Sequence, residues 1–76
     1  MDIYFRTDKT IVKMNDILEA QGKFLVMSSL DRKAQAVLEI YKTEQRTKDV
    51  LDMIDSILTR KGKGEEKILI IEVPKE

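Results

Sequence analysis

The chain has 76 residues and reads as a single domain spanning 1–76. Hydrophobic residues make up 42% and charged residues 37%, which places it outside the disordered class. Lysine plus arginine is 14 and aspartate plus glutamate is 14, and this zero net charge disfavours a dedicated nucleic-acid binder, whose affinity comes mostly from neutralising phosphates.

In chain order, residues 2–6 predict a strand, with Ile3 and Phe5 alternating against Asp2, Tyr4 and Arg6. Thr7 or Asp8 can cap a helix over 8–21, where Ile11, Met14 and Leu18 recur at three- and four-residue spacing and Gly22 suits the position just past a helix end. Residues 23–28 form a short apolar run of the kind found in buried strands, and Ser29 to Lys33 form a polar turn. Residues 34–42 mix helix and strand formers. A helix there would fuse with the next element into a rod of about 45 Å, too long for one small core, so a strand is the preferred reading. In that strand Ala36, Leu38 and Ile40 face in, while Gln35, Val37, Glu39 and Tyr41 face out.

Residues 48–61 predict the clearest helix. Thr47 is its N-cap, Val50, Leu51, Ile54, Ile57 and Leu58 are its apolar stripe, and Arg60 and Lys61 occupy its last turn before Gly62. Residues 62–66 predict a polar loop, and Lys67 to Val73 a final strand ended by Pro74. The order strand, helix, strand, strand, helix, strand predicts an α+β, ferredoxin-like βαββαβ fold. Its four-stranded antiparallel sheet would carry both helices on one face. Two other arrangements fit less well. One keeps the long helix and gives βαβαβ. The other folds 2–7 and 10–15 into a hairpin around Asp8-Lys9, pairing Ile3 with Met14 and Phe5 with Val12, although Asp-Lys is a poor turn pair.

Signals for chemistry are weak. With no Cys and no His, disulfide and thiolate chemistry are out, and the commonest metal ligand and general base are missing. Asp49, Asp52 and Asp55 recur every three residues but drift around a helix and read as a solvated face. Gly62-Lys63-Gly64 follows a helix and precedes a strand, the reverse of a phosphate loop. Ser28, Ser29 and Asp31 lack a base to activate a nucleophile. Glu39, Glu44, Glu65, Glu66 and Glu72 form no pair that the predicted fold forces together. The expectation is a non-enzymatic protein with no catalytic residues, no metal and no cofactor. No apolar run approaches membrane-spanning length, and the N-terminal residues lack the pattern of a signal peptide. A soluble protein without a membrane role, cytoplasmic or recombinant, is expected.

The predicted order resembles the RNA recognition motif, whose first and third strands carry exposed aromatics. Tyr4 in Ile3-Tyr4-Phe5-Arg6 falls at the first-strand stacking position, and Lys33 and Ala36 fit the third-strand signature. Ala34 replaces the family's glycine, Gln35 and Val37 replace two exposed aromatics, Ile40 lacks another, and Glu39 adds a negative charge. Each stacked base is worth about 1–3 kcal/mol, so the resemblance speaks for fold more than for RNA binding. It implies an open sheet face carrying Tyr4, Arg6, Val37, Glu39, Tyr41, Ile68 and Ile70, with Lys33 at its margin. The functional expectation is a small scaffold or interaction domain. The joint absence of Cys, His and Trp suits a designed sequence without natural activity, and that is its specific form. The alternatives are an RNA-binding module and a homodimer formed through the open sheet face or a strand edge.

Overall fold

The computed structural model describes residues 2–14, 17–31, 33–61 and 67–76. Among these, six strands and one helix occur in the order β1 (Asp2–Arg6), β2 (Ile11–Lys13), β3 (Ile17–Gln21), β4 (Phe24–Ser28), β5 (Gln35–Ile40), α1 (Glu44–Lys61) and β6 (Ile68–Glu72). They form an α+β fold with two three-stranded sheets, ordered β2-β1-β6 and β3-β4-β5. The ferredoxin-like βαββαβ expectation is therefore wrong: the described residues contain no four-stranded sheet and one helix rather than two.

The error lies in residues 8–21, whose described part contributes β2 and β3 in place of a helix, residues 15 and 16 lying outside the described residues. Asp8-Lys9 tips a hairpin in which Phe5 pairs with Val12 and the Met14 N–H donates to the Ile3 carbonyl. This is the register of the alternative hairpin reading. The turn overcomes its poor residue pair because the Thr7 hydroxyl accepts from the Lys9 and Thr10 amides at 3.2 and 3.1 Å. Asp8 also reaches Lys75 at 3.1 Å; their hydrogen bond holds the Asp8 carboxyl below its ordinary range and the Lys75 ammonium above its own. Helix propensities within this stretch differ by a few tenths of a kcal/mol per residue. Burying an aliphatic side chain against the rest of the fold is worth roughly 1.5–3 kcal/mol, so tertiary packing decides. Gly22 does adopt a left-handed backbone, with φ of 60°, but it turns β3 into β4 and ends no helix.

The second sheet is an antiparallel meander. Leu18 pairs with Met27 and Ala20 with Leu25, on the face that meets α1. On β5 the predicted strand is present but its alternation breaks. Val26 pairs with Val37 and Leu25 with Glu39, so Leu38 is an extra residue, a β-bulge. The bulge re-phases the rest of the strand. Leu38 and Tyr41 are buried while Ile40 is exposed, the reverse of the expectation for Ile40 and Tyr41.

Helix α1 starts earlier than predicted. Thr43 is the N-cap, its hydroxyl accepting from the Arg46 amide at 3.1 Å. Thr47, expected to cap, lies buried within the helix and donates its hydroxyl to the Thr43 carbonyl. The stripe of Val50, Leu51, Ile54, Ile57 and Leu58 packs as predicted. It meets Phe5, Leu69, Ile71 and Val73 from one sheet and Leu25, Met27, Leu38 and Tyr41 from the other. One core thus joins both sheets and the helix.

Tyr41 ties the two sheets together by donating its hydroxyl to the Pro74 carbonyl at 2.5 Å. Burial, aided by the nearby negative charge of Glu39, pushes its phenol up to about 12 from 10.0. A raised folded-state value means the neutral form is the one stabilised. Its contribution is complete below pH 10 and is lost as pH rises through about 12. Replacing Tyr41 with Phe is expected to cost about 1 kcal/mol at neutral pH. Denaturant titrations of both proteins between pH 7 and alkaline pH should show this difference shrinking only above pH 10.

Candidate interaction surface

The predicted face does not exist as one surface. Tyr4, Arg6, Ile68 and Ile70 lie on the outer face of the β2-β1-β6 sheet, where Tyr4 pairs with Ile70 and Arg6 with Glu72 in register. Val37 belongs to the outer face of the other sheet. Tyr41 is 3% exposed and belongs to the core. Lys33 lies in the loop before β5, its amide donating to Asp31 at 3.0 Å. Glu39 is half-buried beside the bulge. The platform that the family resemblance implies, Tyr4 beside the β5 residues, is split between two sheets.

Candidates for chemistry are also placed apart. Ser28 is buried and donates to Glu19 at 3.3 Å. Ser29 and Asp31 lock their own turn at 2.6 Å, and this hydrogen bond, with that of the Lys33 amide, holds the Asp31 carboxyl below its ordinary value. Asp49, Asp52 and Asp55 are exposed on α1, and Asp49 accepts from Gln45 at 2.9 Å. Glu39, Glu44 and Glu72 lie on β5, α1 and β6 and are not brought together as a site, while Glu65, Glu66 and Gly62-Lys63-Gly64 fall outside the described residues. Among the described residues there is no group of three or more candidate metal ligands. No helix among them is long and apolar enough to cross a membrane.

Two outer sheet faces carry exposed apolar side chains. On the meander these are Phe24, Val37 and Ile40, around a buried Val26. On the other sheet they are Ile68 and Ile70, 59% and 50% exposed, next to Tyr4. The second set is framed by ion pairs between Arg6 and Glu72 and between Lys13 and Asp2. Pairs as exposed as these contribute little stability, but they fix charged side chains at the margin of an apolar strip.

The strand edges differ more sharply than the faces. Natural sheets blunt an exposed edge by shortness, charge, proline or a bulge. Edge strand β2 has three residues and carries Lys13, β3 carries Glu19, and β5 is bulged at Leu38. Strand β6 reads Ile-Leu-Ile-Ile-Glu and has only its terminal Glu72. Its hydrogen bonding to β1 fixes which backbone groups are spent. The Asp2 amide donates to the Lys67 carbonyl and the Val73 amide donates to the Arg6 carbonyl, both at 2.9 Å. Successive residues of a strand point their N–H and C=O groups to alternate sides. Lys67, Leu69, Ile71 and Val73 therefore face β1, and Ile68, Ile70 and Glu72 direct their backbone groups to the other edge, which no described strand occupies. Beside that edge runs a groove of about 830 Å³ between β6 and α1, lined by Met53, Ile57, Arg60, Ile70 and Pro74 among others. Proline has no N–H, so Pro74 ends the row of edge donors.

The signal for this site in the sequence was the uninterrupted Ile68–Ile71 run before Pro74. What it could not indicate was which side of the strand β1 would occupy. Comparison with protein-family models, curated proteins and solved structures finds no match.

Amide hydrogen exchange on dilute protein should alternate along β6. The amides of Leu69, Ile71 and Val73 are expected to exchange at least about a hundredfold more slowly than those of Ile68, Ile70 and Glu72. Uniform protection would place another chain segment on the edge.

Proposed function

We propose that this chain is a non-catalytic interaction domain that takes an extended protein segment onto the free edge of β6. The observation that carries this reading is the row of outward backbone groups at Ile68, Ile70 and Glu72 beside the apolar groove against α1. Strand addition draws its affinity from main-chain hydrogen bonds and its selectivity from pockets for alternate side chains. Both are available here: Met53 and Ile57 offer apolar contact on the helix side, and Ile68 and Ile70 extend the apolar strip on the outer face. No group of three or more candidate metal ligands competes with this reading among the described residues. The separation of Tyr4 from Val37 removes the stacking platform that favoured RNA.

Titration with a short neutral peptide of alternating valine and threonine tests the reading. Binding should move the amide resonances of Ile68, Ile70 and Glu72 and slow their exchange. The same peptide with proline at alternate positions, which removes its edge donors, should do neither. On protein dilute enough that these three amides exchange freely before the peptide is added, resonance changes confined to Phe24, Val37 and Ile40, or none at all, would overturn it.

A further inference from the structure

Resting on strand capture at β6, we infer that the occupant of this edge is a second copy of the chain, paired antiparallel about a two-fold axis at Ile70. The first support is the backbone geometry. Only Ile68, Ile70 and Glu72 point outward. Centring the axis on Ile70 sets Ile70 against its counterpart and Ile68 against Glu72 of the other copy. Three donors in each copy then meet three acceptors in the other, giving six hydrogen bonds. Moving the axis to Leu69 or Ile71 leaves one of the three residues in each copy without an outward-facing partner inside the strand. The edge of β6 is thus self-complementary in one register.

The second support is electrostatic. A copy brings no net charge, since the chain carries 14 cationic and 14 anionic side chains, and molecules near zero net charge associate readily. In this register no like charges meet across the strands. The only charged residue in β6 is Glu72, which its own Arg6 already neutralises, and it lies opposite Ile68. The antiparallel arrangement also sets the acidic end of each strand, at Glu72, towards the basic end of the other, at Lys67.

The third support is continuity of apolar surface. The two β2-β1-β6 sheets become one six-stranded sheet, and the strips formed by Tyr4, Ile68 and Ile70 meet across the axis. On the opposite side Met53 and Ile57 of each copy close over the junction. A pair of five-residue strands alone falls short of the roughly 1,200 Å² of a stable interface, so the helix contacts are needed to complete it. The result is an isologous dimer, in which one patch serves both subunits.

Sedimentation across roughly a hundredfold range of concentration, with amide exchange on the same samples, tests this. The unaltered chain should pass from monomer to dimer, and the amides of Ile68, Ile70 and Glu72 should gain protection in step with the dimer fraction. Ile70→Lys places two like charges on the axis at an exposed position and should weaken the dimer at least tenfold. Retained protection at Leu69 and Ile71 will confirm that this variant folds. Phe24→Lys, on the other sheet, should leave the dimer unchanged. A dimer that survives Ile70→Lys, or fails with Phe24→Lys, overturns the proposal. A chain that stays monomeric at every concentration also overturns it; if the valine–threonine peptide still protects the three edge amides, strand capture stands and only self-pairing falls.

Discussion

The parallel pairing of β1 with β6 is the contact on which the rest of this fold depends. It joins Asp2–Arg6 to Ile68–Glu72 across nearly the whole chain, so its loop-closure cost is borne by everything between them. In return it sets Phe5 beside Ile71 and Ile3 beside Leu69, making the wall against which α1 and the meander pack. The same pairing spends one side of the β6 backbone and leaves the other without a partner strand among the described residues. Stability and the candidate interaction edge therefore come from a single choice of partner.

The bulge at Leu38 organises a directional contact that holds the two sheets in relation. By adding a residue opposite Leu25, it leaves Leu38 facing the core and turns Tyr41 towards it as well. Tyr41 can then reach the Pro74 carbonyl just beyond β6. A regular β5 would have sent Tyr41 outward and Ile40 inward, leaving the end of β6 without this tie. The bulge also disrupts the β5 edge, so the device that shapes the core blunts one edge of the meander.

Much of this was legible locally. Strand β1, the apolar run of β4, the preference for strand over 34–42, the stripe of α1 and the final Ile-rich strand all agree with period and composition. The left-handed Gly22 was legible as a conformation although not as a place in the fold. Residues 8–21 were not legible in the same way. Ile11, Met14 and Leu18 fit a helical stripe. Thr10-Ile11-Val12, a β-branched run, fits a strand equally well. Of the expected surface, Tyr4, Arg6, Ile68 and Ile70 do share a face, while Val37, Tyr41 and Lys33 were assigned to it through a sheet that does not form.

The sequence by itself determined where apolar side chains recur, where the chain can turn and which chemistries lack their residues, because these depend on neighbours a few positions apart. Only the tertiary structure decided that 8–21 would supply strands, that two sheets would form, and that β6 would keep a free edge. Each of those outcomes rests on a partner strand whose pairing is set by the whole fold. Hydrogen bonds and burial gained against β1 and β4 outweigh the small local preference for helix, and no window of a dozen residues contains that comparison.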